Sequence, residues 1–300
     1  MSGRRVLPRG RRGWRVVALG GGHGLAATLS ALRRVTDDIT AVALCGDDTW
    51  GRTWERVIQH RFGGSGDLAG HSLGNLLITA LWEETGDIVT GLEWMAALLE
   101  AQGRVLPCTT VPLTIQARVR GHDPARPDDV TIVRGQAEVA TTPGFVEELS
   151  VDPPHPPACA EALLAIAEAD AIVLGPGSWF TSVITHLVIP EIAEAIAASD
   201  ALRVVVLNLN PQVGETSGFA AHTYLEVLRD YVPQVDVVIA DRRHVDDLEL
   251  LEAHARNLGA HVVLADVAGT GRRGAGQHDP QRLAVAFDSL VTAPRSNGAP

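Results

Sequence analysis

RVVALGGGHG, residues 15–24, runs from an aliphatic stretch straight into three glycines, a histidine and a fourth glycine. Arg15–Leu19 is apolar on both alternating faces, as expected of a strand inside a parallel sheet that helices cover on both sides. The glycines let backbone approach an anion closely. The free N–H groups and dipole of the helix expected over Leu25–Arg34 favour negative charge there. Gly22, Gly24 and Ala27 fit the G-x-G-x-x-A spacing of a dinucleotide-binding turn. Gly20, Gly21, Gly22, His23 and Gly24 are therefore a candidate anion site, with a ligand-free tight turn as the plainer reading.

The pattern repeats along the chain. Ile39–Leu44, Ala171–Leu174, Arg203–Leu207, Val235–Ala240 and His261–Leu264 read as further buried strands. Helix-length apolar patterns fall at Ser72–Glu84, Ile88–Ala101, Ala158–Ala169, Phe219–Tyr231 and Val245–Leu258. The fold class is α/β: a Rossmann-like, doubly wound, mostly parallel sheet. Leu113–Val119 and Val130–Val139, joined by GHDPARPDD, suggest an antiparallel hairpin added to that sheet. VDPPHPP (151–157) reads as a long connection and not as a domain boundary. The expected organisation is a disordered basic arm over residues 1–14, a single α/β domain over 15–292 and a disordered tail over 293–300. The Gly- and Arg-rich stretch Gly269–Gly276 reads as a mobile loop.

Composition narrows the chemistry. The formal charge is −11, and six arginines with no acid lie in Met1–Arg15, which leaves −17 on the rest. So acidic a body argues against nucleic acid as the main partner. The basic leader lacks the apolar run of a secretory signal. No stretch reaches the roughly 18 uninterrupted apolar residues of a membrane span. Cys45, Cys108 and Cys159 are far apart in sequence and form no C-x-x-C pair, so neither a disulfide framework nor a zinc site is indicated. These features suit the cytoplasm. All 25 basic residues are arginine, which removes Schiff-base chemistry, pyridoxal phosphate and the Walker A lysine. A bound phosphate would need backbone N–H groups, arginines and hydroxyls.

Three more loops could carry chemistry. Gly175, Pro176, Gly177 and Ser178 follow the strand AIVL, and with Thr181 they offer backbone donors and two hydroxyls at a helix start to a second phosphate. The bland reading is an N-cap. Asn208, Asn210, Gln212, Gly214, Glu215 and Thr216 follow the strand LRVVVL as a polar rim suited to a base or sugar, or simply a polar loop. Gly70–Gly74 (GHSLG) matches the G-x-S-x-G nucleophile elbow, which would make Ser72 an acyl-transfer nucleophile. An elbow needs a strand directly before it, and FGGSGDLA is not one, so Ser72 reads better as a helix start with Asn75 in the first turn. His60, His186 and His222 stand singly on expected helices, where satisfied roles outnumber catalytic ones, and no metal-ligand spacing such as H-E-x-x-H occurs.

GGGHGL, GHSLGNLLI, GRVLP (103–107), IVLGPGSWFTSV and NPQVGETSGF occur in that order. Together they resemble the gluconeogenesis factor (YvcK-like) family, related to the CofD-like phospho-L-lactate transferases. The resemblance runs from Trp14 to about Leu290. It implies a Rossmann-like fold and a cytoplasmic, non-catalytic regulator of cell shape and wall synthesis during gluconeogenic growth. The implied ligand is a UDP-sugar such as UDP-N-acetylglucosamine, with no cofactor beyond it. Gly20–Gly24, Ser72, Asn75, Gly175–Ser178 and Asn208–Thr216 would line its cleft. A homo-oligomer and a regulated partner protein are compatible with it. The competing readings are a phosphotransferase of the phospholactate type, then a serine hydrolase and a nicotinamide dehydrogenase.

Two departures from the family pattern stand out. Gln277 precedes His278 and Asp279, where the family often has arginine. In ITAVALCGDDTWGR (39–52), the second strand meets Asp47 and Asp48 without room for the family's DDGGSSGR-to-PPGD segment, whose paired acids in the transferase relatives help to hold a metal. Either these acids are a remnant of that pair, or the strand is joined to a downstream piece and they begin its helix. Trp50, Trp54, Val57 and Ile58 at helical spacing favour the second reading.

Overall fold

The computed structural model describes residues 14–43, 57–58, 60–99, 103–270 and 276–292. Asp47 and Asp48, the junction after Ala43, Cys45, the arm before Trp14 and the tail after Thr292 lie outside them. So do both readings of the acid pair.

Seven strands form a wholly parallel sheet: β1 (Arg15–Leu19), β2 (Asp38–Ala43), β3 (Arg104–Pro107), β7 (Ala171–Leu174), β8 (Leu202–Val206), β9 (Val237–Asp241) and β10 (His261–Ala265). Their spatial order is β10-β9-β8-β7-β1-β2-β3. The alternation along each strand explains why they read as continuous apolar runs. Val17 and Leu19 of β1, Ile172 and Leu174 of β7 and Val205 of β8 enter one hydrophobic core. Val16, Ala18, Ala171, Val173, Val204 and Val206 enter a second core on the opposite face. Helix α1 (Gly22–Leu32) covers the second face through Leu25, Leu29 and Leu32, with Phe287 of the last helix, Pro280–Thr292, beside it.

All six strands expected in the parallel sheet are present within one or two residues of their expected ends. β3 was not recognised, being short, at the sheet edge and closed by a proline. The antiparallel hairpin is real, but it does not join the parallel sheet. β4 (Thr114–Arg120) and β5 (Val130–Arg134) pair with β6 (Phe145–Asp152) in a separate three-stranded sheet, ordered β5-β4-β6. Two corrections follow. The second expected strand ends at Arg134 and gives way to a helical turn, Gln136–Ala140. Val151 and Asp152, assigned to the connection, belong to β6. This unit leaves and re-enters the parallel-sheet layer at one neck, where the Cys159 N–H donates to the Cys108 carbonyl at 3.1 Å. Two cysteines far apart in sequence are thus neighbours, and both are buried.

Candidate functional site

The strand order reverses between β1 and β7. From β1 the chain builds outward through β2 and β3, then returns to β7 on the other side and builds outward through β8 to β10. The crevice outside the carboxyl ends of the two strands at such a reversal is where open α/β sheets bind ligands. Both glycine loops leave from those two ends.

They are pressed together. A Cβ added at Gly24 would lie 2.2 Å from the Pro176 carbonyl oxygen and 2.7 Å from the Gly177 Cα. One added at Gly21 would sit 3.0 Å from the Ser182 Oγ. Glycine at these positions is what lets the two backbones touch. The Thr28 hydroxyl, on the second turn of α1, donates to the Gly175 carbonyl at 3.1 Å and ties the loops from below. Helix α1 begins at Gly21 with no side-chain cap and no acid in its first turn. Its leading N–H groups are the kind that receive anions.

The second loop differs. Ser178, Phe180 and Thr181 open the π-helical segment Trp179–Ile184, and the Glu215 carboxylate sits over that opening. It accepts from the Ser178 hydroxyl at 2.6 Å and from the Phe180 and Thr181 N–H groups, each at 3.3 Å. The Ser178 and Thr181 hydroxyls are also 2.6 Å apart. Glu215 is 2% exposed, and burial raises its pKa despite those donors. The two hydroxyls expected to face a second phosphate are thus already engaged by the protein's own acid. The Gly177 backbone is likewise bridged, its N–H and carbonyl both bonded by the Asn208 amide at 3.0 and 2.7 Å.

The remaining residues of the third loop divide. Thr216 is buried and its hydroxyl accepts from the Gln212 N–H at 2.8 Å, while Gln212 itself is exposed. Gly214 has φ of +108°, and a Cβ there would meet the Ala140 carbonyl oxygen at 2.3 Å, so its role is to pack the loop on the antiparallel unit. Ser72 caps helix α2 (Leu73–Thr85), its Oγ accepting from the Asn75 N–H at 3.2 Å. It is 1% exposed, with ordinary extended backbone at φ −81° and ψ 147°. The strained, solvent-facing geometry of a nucleophile elbow is absent there. Among the described residues no hydrogen bond links Ser72 or Asn75 to the glycine loops.

A model of the 2-phospho-L-lactate transferase CofD family matches residues 50–276. A Mycobacterium tuberculosis protein described as a gluconeogenesis factor is 43% identical over 310 residues, covering 92% of this chain and 90% of that one. The chain belongs to the CofD-like gluconeogenesis factor family. A gluconeogenesis factor of Halalkalibacterium halodurans is 32% identical over 77% of this chain and 79% of its own. The crystal structure of a UPF0052 family member from Bacillus halodurans superposes with a TM-score of 0.78 at 27% identity, covering 91% of this chain and 99% of that one. The mycobacterial alignment spans 310 positions although 92% of a 300-residue chain enters it. Roughly a tenth of its positions are therefore gaps in this chain.

Within this family framework, several polar residues at the strand ends escaped the sequence reading. Ser182, 8% exposed, lies under Gly21. His186 was expected to be a satisfied histidine. It is instead wholly buried, and neither ring nitrogen has a hydrogen-bond partner. Burial pushes its pKa down to about 4, against the opposing pull of backbone groups at Val183, Ser182 and Val42. Asp241, at the end of β9, accepts from the His244 Nδ1 at 2.8 Å, the Ala268 N–H at 2.7 Å and the Arg243 N–H at 3.0 Å. Burial opposes ionisation there, but these bonds prevail and hold the carboxyl well below the usual range. His278, close behind, is pushed down to about 4 by burial. An acid closing a buried strand, with histidine three residues on, was the signal that could have found this group. Among the described residues no single helix is long and apolar enough to cross a membrane, and no cluster of three or more His, Cys, Asp or Glu side chains could hold a metal.

Proposed function

We propose that this protein is a cytoplasmic, non-catalytic regulator that binds a nucleotide sugar of the UDP-N-acetylglucosamine type and supports cell shape and wall synthesis during gluconeogenic growth. The observation that carries the binding reading is the reversal between β1 and β7, where two glycine loops meet beside a helix start that has no side-chain cap and no acid in its first turn. The diphosphate lies over Gly20–Gly24 and the start of α1, with the backbone of Gly175–Gly177 alongside. Asn208, Gln212 and Thr216 belong to the loop flanking its organic end. Family membership supports the regulatory role.

Thermal-shift titration with UDP-N-acetylglucosamine, NAD and GDP tests it. A native-state ligand at about 100 times its Kd adds roughly 2.7 kcal/mol, so the midpoint should rise with the UDP-sugar alone. An unchanged midpoint across UDP-sugars would sink the reading. The match to the CofD family model favours a second one, a phosphotransferase. A shift with GDP and a divalent cation, but not with a UDP-sugar, would move the assignment there.

A further inference from the structure

A cavity of about 370 Å³ opens at the carboxyl ends of β8 and β9, beside the second glycine loop. That volume lies at the small end of the range for ligand sites, room for one ring and not for a dinucleotide. The Tyr224 ring supplies an apolar wall, and Asn208, Asn210, Arg243, His244 and Asp246 supply polar ones. Asn208 is shared, since the amide that brackets the Gly177 backbone also lines the cavity. A diphosphate over the glycine loops would have one end at this opening.

The polar wall is mixed: the Arg243 guanidinium donates, the Asn208 and Asn210 amides can do either, and His244 and Asp246 supply acceptors. The Asp241 side chain is fully buried and ends β9 beneath the cavity, accepting from His244 Nδ1 at 2.8 Å. A carboxylate there fixes the hydrogen on Nδ1, so the neutral ring presents Nε2 as an acceptor. The exposed Asp246 carboxylate is an acceptor too. Acceptors on a cavity wall call for donors on the ligand. A uracil ring offers two carbonyls to the donors but only one N–H to the two acceptors, whereas each sugar hydroxyl both donates and accepts and so suits a mixed wall. Tyr224 gives the C–H face of a sugar ring an apolar surface.

We propose that this cavity takes the glycosyl half of the ligand, with His244 Nε2 and the Asp246 carboxylate accepting hydrogen bonds from its hydroxyls. The assignment rests on the nucleotide-sugar reading above. Asp241 is a positioning residue that acts through His244.

Isothermal titration of the full chain with UDP-N-acetylglucosamine and with UDP tests the idea in wild type, His244→Ala, Asp246→Ala and Asp241→Asn. Wild type should bind the sugar nucleotide more tightly than UDP. Each of the two alanine variants should narrow that ratio by about three- to tenfold, the share of one ligand hydrogen bond, with the loss falling on the sugar nucleotide. Asp241→Asn should narrow it likewise, with a cooperative thermal transition showing that the buried substitution has not unfolded the chain. Equal weakening of both ligands would place the base in the cavity and overturn the proposal. So would an unchanged ratio in both alanine variants, with the nucleotide-sugar reading intact. Wild type that binds neither ligand would overturn that reading and this subsite together.

Discussion

The two glycine loops at the β1/β7 reversal look alike as text and differ as electrostatics. Each follows a buried strand and opens a helical segment, yet α1 begins without a side-chain cap or an acid in its first turn, while the second opening is filled by Glu215. That carboxylate comes from 37 residues beyond Ser178. A helix start attracts negative charge whatever its source, and among the described residues an acid of the protein meets that demand only at the second loop. In the proposed function the first loop is the receiver, and the second is part of the frame that holds it in place.

The largest expected effect comes from forcing the two loops apart. Gly24→Ala sets a Cβ against Pro176 backbone that cannot rotate away, and should cost about 3 kcal/mol in denaturant unfolding. An effect under about 1 kcal/mol would mean the loops are not docked.

The frame side should be acid-sensitive, as should the buried His278 behind Asp241. His186 lies just beyond the second loop, neutral and unpartnered. Its folded pKa of about 4 lies below the ordinary 6.5, so the unfolded chain binds the extra proton between those values. Stability is therefore complete above pH 6.5 and falls as pH drops towards 4, by on the order of 3 kcal/mol. His186→Leu should flatten that part of the stability–pH curve, and a curve unaltered by the substitution would assign the acid sensitivity elsewhere.

Glu215→Ala removes the internal anion and strands the Phe180 and Thr181 N–H groups, at about 2 kcal/mol. Inorganic phosphate should then raise the variant's thermal midpoint more than that of wild type, by occupying the vacated opening. Equal response in both proteins would break the contrast between the loops. The smallest change is Ser72→Ala, which removes the cap of α2 for about 1 kcal/mol by thermal unfolding. A fluorophosphonate probe should leave Ser72 unlabelled.

Much of this was legible before any coordinates. Arg15–Leu19 and Ala171–Leu174 announced buried parallel strands because both of their faces are apolar, and β1 and β7 have those bounds. Ser72 read correctly as a helix start because a local rule, the absent preceding strand, was enough to demote the elbow. FVEELSVD was missed although its buried positions, Val146, Leu149 and Val151, mark a strand. A register shift against β4 breaks their strict alternation. The short segment QAEVA merged with β5 because five residues carry too little periodicity to show a change from strand to helix.

The candidate site divides along the same line. The sequence by itself determined six of the seven parallel strands, the positions of the glycine loops and the family, since each depends on neighbouring residues or on ordered motifs. Only the tertiary structure decided that Glu215 neutralises the second loop, that Gly214 packs on Ala140, that His186 is buried without a partner and that Asp241 orients His244. The physical reason is that helix starts, hydroxyls and histidines are defined chemically by whatever lies within about 3 Å of them. At strand ends, those partners come from elements far along the chain.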